Sequence, residues 1–415
     1  MRNSFELIPN PASAADPVLE HWLRIAGEVA DVLRETVVER DLANEMPLAE
    51  VALLKQRGLL TIPIPKRYGG GGVQWRVTQQ VVRRIARSDA SIAQVLGYHY
   101  GWLRLIESNG GENGAELLKQ SATGNFLWAG SGSARGGSGS NRTGLAELVS
   151  AADEDGYIVN SNTGFATGAP VADRVIVRSL NLETNRYTLV VIDPKTPGVQ
   201  FKSDWDVLGQ RLSASRGVEL KDVSVPSHHV LGPFNRIDEL PTPGVSLSVL
   251  VFQLLFSTLH LGIAEGAVLE AADYVRTQAQ PWLHAEASSA STDPHIVNRF
   301  GGHVAQLQAV SALIDKADEA LTWLIDRADE IDYDQRWAAA ELIASAKVTS
   351  TQAGLEITSG IFDATGARGT TRRHGLDRFW RNLRTMSLHD PLAYKLDEIG
   401  QYFLNGKHPA PSGYR

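Results

Sequence analysis

The sequence predicts an α+β fold of three lobes: helices, then a small β-domain, then a long helical bundle. Three observations carry this. Apolar residues recur near every 3.6 positions up to about residue 125. Short alternating segments between turn residues fill residues 126–235. Four long amphipathic stretches occupy residues 236–415. Domains are therefore expected at 1–125, 126–235 and 236–415. A chain of 415 residues, 43% of them hydrophobic, is long enough to bury two or three cores.

In the first lobe, Leu19, Trp22, Leu23 and Ile25 begin a helix just after Pro17. A second runs from Leu48 to Arg57 and ends at Gly58. Gly69 to Gly72 form a loop, because four consecutive glycines do not hold a helix. Val77–Ala86 and Ala93–Glu107 are two further helices. In the middle, the segments at Gly156, Arg174, Tyr187 and Gly217 read as strands of an antiparallel sandwich or barrel. In the last lobe, Leu307, Val310, Ile314, Ala317, Leu321 and Leu324 keep helical spacing. Similar patterns at 245–279, 335–360 and 380–404 complete a four-helix bundle. Residues 281–294 form a loop between two of these helices.

Composition narrows the chemistry. There are no cysteines, which removes disulfides, Cys-ligated zinc, iron–sulfur clusters and thiol nucleophiles. Forty Lys and Arg against 47 Asp and Glu give a net charge of −7, against nucleic acid as a main partner. His228 and His229 are adjacent, and no histidine pair at helical spacing has a suitable carboxylate, so no metal is expected. The apolar stretch Val245–Leu259 is too short to span a bilayer and reads as a buried helix. The first residues lack the apolar core of a signal peptide, so the expected compartment is the cytoplasm.

Four segments, in order, resemble the acyl-CoA dehydrogenase family. They are the glycine loop after Arg67, the run from Trp128 through Ser140, the strand pair from Gly156 to Ala169, and the segment Ile361–Gly369. The resemblance implies a helical N-terminal domain, a central antiparallel β-barrel and a C-terminal four-helix bundle. Further segments are similar to one subgroup, the reduced-flavin-dependent sulfur monooxygenases: Gly97 to His99, Gln278 to Trp282, Gly366 to Gly369, Gly375 to Pro391 and Leu404 to Gly406.

That subgroup implies a two-component enzyme. Reduced FMN, supplied by a separate NAD(P)H-dependent flavin reductase, would react with dioxygen to give a C4a-hydroperoxide. This would oxygenate a thiophene, sulfone or sulfinate. A homotetramer is implied as well. A dehydrogenase of this family carries a Glu-Gly-Thr base before its last helix; here Ser387-Leu-His-Asp-Pro stands instead. Asp390 is shorter and followed by Pro391, a poor base for a thioester.

His389 fits the monooxygenase need, since imidazole donates hydrogen bonds and titrates near neutral pH. Tyr98 falls on the family's active-site tyrosine, and Gln94 lies one turn before it. With Trp205 these are the expected substrate contacts. His99 points elsewhere if the segment is helical. The resemblance places Ser131, Ser133 and Thr167 against the flavin, with Arg368 and Gly369 reaching the flavin of a neighbouring subunit. Gln280 stands where the family has a pyrophosphate-gripping arginine, and Gln278 brings none either, which favours FMN over FAD. Arg378, Arg381 and Arg384 line one side of a helix. A dehydrogenase with a displaced base, an N-hydroxylating monooxygenase and a non-catalytic flavin binder are the alternatives.

Overall fold

The computed structural model describes residues 7–8, 16–131, 133–134, 145–151, 155–412 and 414–415. Five helices form the first lobe: α1 (Pro17–Ala43), α2 (Leu48–Gln56), α3 (Trp75–Ala86), α4 (Ala90–Asn109) and α5 (Gly111–Gly124). Their starts are written in the sequence. The Asp16 carboxylate accepts from the Val18 and Leu19 N–H groups, and Pro17 sits at a position that needs no donor. Asp89 does the same for α4, accepting from Ile92 at 3.0 Å.

The middle lobe has nine strands among the described residues. They are β1 (Trp128–Ser131), β2 (Ser133–Ala134), β3 (Ala146–Ser150), β4 (Gly156–Ala166), β5 (Arg174–Asn181), β6 (Arg186–Ile192), β7 (Val199–Phe201), β8 (Arg216–Pro226) and β9 (Val230–Leu231). They form one sheet ordered β7-β8-β4-β3-β5-β6-β9, with β1 on β5 and β2 on β4. The expected all-antiparallel arrangement needs correction. β1 and β3 both run parallel to β5, whereas the other pairings are antiparallel. Alternation in a sequence fixes which face a residue takes and leaves the partner's direction open.

The last lobe holds α6 (Leu247–Thr277), α7 (Pro294–Ile325), α8 (Tyr333–Gly369), α9 (Asp377–Met386) and α10 (Leu392–Asn405). α6 is apolar on all sides, as a helix surrounded by protein should be. It packs on α3, α4, α7, α8 and α9. Leu254, Leu255, Leu259 and Ile263 are fully buried along it, each contributing about 1.5–3 kcal/mol. Glu265 takes hydrogen bonds from Arg83 at 3.0 Å and Arg87 at 2.8 Å, joining α3 to α6 by a buried ionic tie. Burial alone would raise the Glu265 carboxyl, but the two guanidinium groups outweigh it and hold it well below the usual range.

The expected fourth bundle helix, 380–404, is two helices. α9 stops at Met386 and α10 starts at Leu392. Pro391 has no N–H to donate and disfavours helical backbone at Asp390. The break gives residues 387–391 to the site.

Candidate active site

A cavity of about 850 Å³ lies between the three lobes. α4 supplies one wall. Gln94, Tyr98 and Trp102 are four residues apart, so they stack on one helical face, and all three line the cavity. α4 can approach α6 because it is glycine where they touch. A Cβ at Gly97 would sit 2.6 Å from Leu255, and one at Gly101 would sit 2.7 Å from Phe252. From α6, Phe252, Gln253 and Phe256 face the same space. The Tyr98 ring meets Phe252 edge-on at 5.4 Å. Burial pushes its phenol above the ordinary value, against a hydrogen bond with Gln94. Tyr98 therefore stays protonated and is a donor.

The α9–α10 break presents His389. Its ring packs 4.4 Å from Phe256, and Nδ1 is 3.1 Å from Asp390 Oδ1. A carboxylate only accepts, so Nδ1 carries the proton in this contact, leaving Nε2 for the cavity. Asp390 is held from behind by Lys347 on α8, in an ion pair almost sealed from water. Lys347 Nζ also donates to Gln253 Oε1 at 2.7 Å and lies 4.8 Å from the Phe256 ring centre. Burial lowers the Lys347 ammonium to about 8 although Asp390 opposes it. Burial would raise the Asp390 carboxyl, but His389 and Lys347 hold it below the usual carboxylate range. So depressed, Asp390 is a poor proton acceptor.

The β-lobe forms the opposite wall. Thr167 Oγ1 shares a hydrogen bond with Ser215 Oγ at 2.8 Å, and Ser215 shares another with Ser213 at 2.7 Å. Trp205 donates from Nε1 to the Gln210 carbonyl at 3.0 Å and meets Phe165 edge-on at 6.1 Å. Phe165 and Gln210 both take positive φ, 57° for each. Such backbone in a bulky residue stores strain, which clusters at functional sites. The Gln210 amide is buried, and neither its oxygen nor its nitrogen has a partner.

Comparison with known proteins accounts for this arrangement. Residues 24–125 match the model of the acyl-CoA dehydrogenase N-terminal domain, and residues 254–393 match that of the C-terminal domain. The chain belongs to the acyl-CoA dehydrogenase family. Among the family's characterised members, a dibenzothiophene monooxygenase of Mycolicibacterium goodii is 36% identical over 94% of this chain and 95% of its own. A probable FMNH2-dependent monooxygenase, SfnC of Pseudomonas putida, is 33% identical over 94% of this chain and 97% of its own. The crystal structure of TdsC from Paenibacillus sp. A11-2 with FMN and indole superposes with a TM-score of 0.90. It is 32% identical and covers 95% of this chain and 100% of its own.

Of the residues expected at an acyl-CoA dehydrogenase-type site, Gln94, Tyr98, Thr167, Trp205 and His389 meet around the cavity. Ser131 is buried beside it, its hydroxyl bonded to Thr163. Ser133 pairs with Gly164 in the sheet, and its side chain lies outside the described residues, as do Gly136, Gly137 and Gly139. Arg368 and Gln280 are exposed away from the cavity, and Gly369 ends α8 nearby. The backbone of α8 leaves helical geometry at Gly366, with φ 68°. His99 is structural: its Nδ1 accepts from Trp128 N–H at 3.0 Å and its Nε2 donates to Leu60 O at 2.8 Å. Burial lowers it to about 4.

Sequence reasoning missed Lys347, Gln210 and Arg178. Lys347 had a signal, since it keeps the helical phase of buried Ala340, Ile343 and Gly354. A charge on an apolar face demands a partner. Of the arginine set, Arg378 pairs with Glu270 and Arg381 with Asp41. Arg384 instead lines the cavity.

Proposed function

We propose that the protein is the oxygenase of a two-component system, using reduced FMN and dioxygen to oxygenate the sulfur of a thiophene, sulfone or sulfinate. The carrying observation is the Ser387–Pro391 break. Where a dehydrogenase needs a free carboxylate, Asp390 is locked to Lys347 and His389 faces the cavity. The donor set fits a flavin. The Gln210 amide offers a donor and an acceptor without protein partners, Thr167 adds a hydroxyl, and Trp205 adds an aromatic wall. Bound reduced FMN supplies two electrons and activates dioxygen, one atom going to sulfur and the other to water.

The chain's own residues do the rest. Asp390, fixed by Lys347, orients the His389 ring through Nδ1 and leaves Nε2 to hold or deliver a proton in the cavity. Tyr98, kept neutral by burial, accepts from the Gln94 side-chain amide and keeps its own hydroxyl proton to donate into the cavity. Phe252, Phe256 and Trp102 keep the space apolar and exclude water, which would divert the activated oxygen to peroxide.

FMN is preferred to FAD because neither Gln278 nor Gln280 supplies a pyrophosphate cation. Arg368 and Gln280, exposed on one chain, and Gly369, buried beside Arg368 at the end of α8, are assigned to the flavin of a neighbouring subunit in a homotetramer. Exposed Trp282, Leu283, Phe403 and Leu404 support such an assembly, because surfaces of this kind need cover. A cytoplasmic location follows from the need for reductase and NAD(P)H. The lobes divide at residues 125 and 235, between α5 and β1 and between β9 and α6.

Purified protein given a flavin reductase, NADH and FMN is expected to convert organosulfur substrates to oxygenated products with matching oxygen uptake. Tight FAD, and bleaching on acyl-CoA, would instead establish the dehydrogenase.

A further inference from the structure

We infer that the cavity contains an anion subsite built on Arg178, and that the substrate is an organosulfur compound bearing an acidic group. This rests on the oxygenase reading and adds the substrate's charge. Arg178 lies on β5 and lines the cavity with Tyr187, Leu189 and Phe234. In the sheet it faces Leu189 directly, and Tyr187 is its diagonal neighbour. Strand alternation puts it on the face of Ile176, which packs with Trp102, Leu189 and Phe234. The guanidinium therefore stands in an aromatic and aliphatic setting.

Other arginines in the core have acceptors. Arg83 and Arg87 hold Glu265, Arg378 holds Glu270, and Arg336 donates to Ser246 at 3.0 Å. Arg178 has neither a carboxylate nor a hydrogen-bond acceptor among the described residues. Burial lowers its guanidinium from the ordinary value, opposed only by the phenols of Tyr187 and Tyr414. The carboxylates on the cavity wall are already engaged. Asp238 pairs with Arg236 at 3.1 Å, and Glu239 accepts from the Arg236 N–H at 3.0 Å. Trp102 on α4, packed with Ile176 and Leu189, is 8% exposed, and its Nε1 has no acceptor among the described residues.

Donors without acceptors in an enclosed space call for an anion. An unpaired cation in such a setting is costly, and the planar guanidinium fork matches the paired oxygens of a carboxylate, sulfinate or sulfonate. Tyr414 relates this end to the chemistry. Its ring centre is 5.9 Å from that of His389, and it lines the cavity together with Tyr98 and Arg178. An acid held by Arg178 thus lies in the same cavity as Tyr414 and His389. The phosphate of FMN carries the same kind of charge, so the test separates the two sources.

Thioanisole and para-(methylthio)benzoate share a sulfur and differ by one carboxylate. The wild-type protein with reductase and FMN is expected to favour the acid by about tenfold or more in kcat/KM, mainly through KM. Arg178→Gln should bring the ratio of the two efficiencies close to one while FMN affinity is kept, and Arg178→Lys should retain part of the preference. Titration of both compounds onto the protein loaded with oxidised FMN gives a second readout: the acid should bind about tenfold more weakly to Arg178→Gln. A wild type without preference, or a preference that survives in Arg178→Gln, overturns the subsite. So does weakened FMN binding with the substrate ratio intact, which assigns Arg178 to the flavin phosphate. If neither thioether, nor any thiophene, sulfone or sulfinate tried beside them, is oxygenated yet titration shows Arg178-dependent acid binding, the oxygenase reading fails and the subsite stands.

Discussion

Replacing Lys347 with methionine tests whether the ion pair behind His389 builds the site. The two side chains are 2% and 8% exposed. Methionine keeps most of the length and removes the charge. Asp390 is then left in an apolar pocket with His389 as its remaining partner at 3.1 Å. Removing one member of a buried pair costs about 3–5 kcal/mol. Protonation of Asp390 limits the loss: bringing an ordinary carboxyl to its neutral form at pH 7 costs about 4 kcal/mol. The sign follows. In the wild type the folded Asp390 pKa is depressed, so its contribution is present above the unfolded pKa and fades as pH falls. In Lys347→Met the folded pKa rises, so the variant gains relative stability on acidification. The deficit should be about 3–4 kcal/mol at pH 7.5 and shrink by up to about 1.4 kcal/mol per pH unit toward pH 5. A protonated Asp390 donates where it had accepted, so His389 loses its orientation, and product should fall while hydrogen peroxide rises. Urea unfolding at several pH values and the product-to-peroxide ratio measure the two effects. The double variant Lys347→Met/Asp390→Leu should recover much of the stability but not the product yield. A loss under about 1 kcal/mol at pH 7.5, or one that does not change with pH, would refute the reasoning.

His389→Phe keeps an aromatic ring and removes the proton. Product should fall by about 100-fold or more while oxygen uptake continues and peroxide accumulates; an unchanged product-to-oxygen ratio removes His389 from its role. Asp318 is 5% exposed and its Oδ1 has no partner; burial raises it to about 7 although Arg76 opposes. A raised folded pKa means stability falls as pH rises from about 4 through 7, so Asp318→Asn should be more stable at pH 8 by about 1–3 kcal/mol and near neutral at pH 4. Melting curves that stay parallel across that range would exclude Asp318. A Cβ at residue 130 would lie 2.0 Å from Trp102 Cζ2. Gly130→Ala should therefore lower stability by about 1–3 kcal/mol and raise substrate KM as the indole is displaced, both read from melting and steady-state kinetics.

Helix starts were legible because their chemistry is local: Asp16 before Pro17 and Asp89 before α4 both cap as their residue types demand. The burial of α6 was legible in part: the apolar run Val245–Leu259 read as a helix inside protein, whereas burial on nearly every face of the helix did not follow from a pattern read as amphipathic. Gln94, Tyr98, Thr167, Trp205 and His389 were legible as candidates, by resemblance, and they converge on one cavity. The direction of β1 and β3 was not legible, because a strand's pattern names its buried face and not its neighbour. The break of the fourth bundle helix was half legible. Pro391 was in view, but the periodicity on both sides of it read as one helix.

Charged side chains mark the boundary between what a sequence shows and what it withholds. Arg83 with Glu265 spans 182 positions and Lys347 with Asp390 spans 43, so no local pattern could pair them. Each member is nonetheless visible as a charge in the phase of buried residues, and burial at that phase requires an opposite charge from somewhere. For Glu265 and Lys347 the fold supplies it, and the result is a rigid tie between lobes in one case and an oriented histidine in the other. Arg178 obeys the same rule on a strand, in the phase of Ile176, yet no acceptor among the described residues reaches it. A cation without an acceptor among the described residues can be compensated by the molecule that enters the cavity, and on the proposal of an anion subsite its charge bears on the substrate rather than on stability.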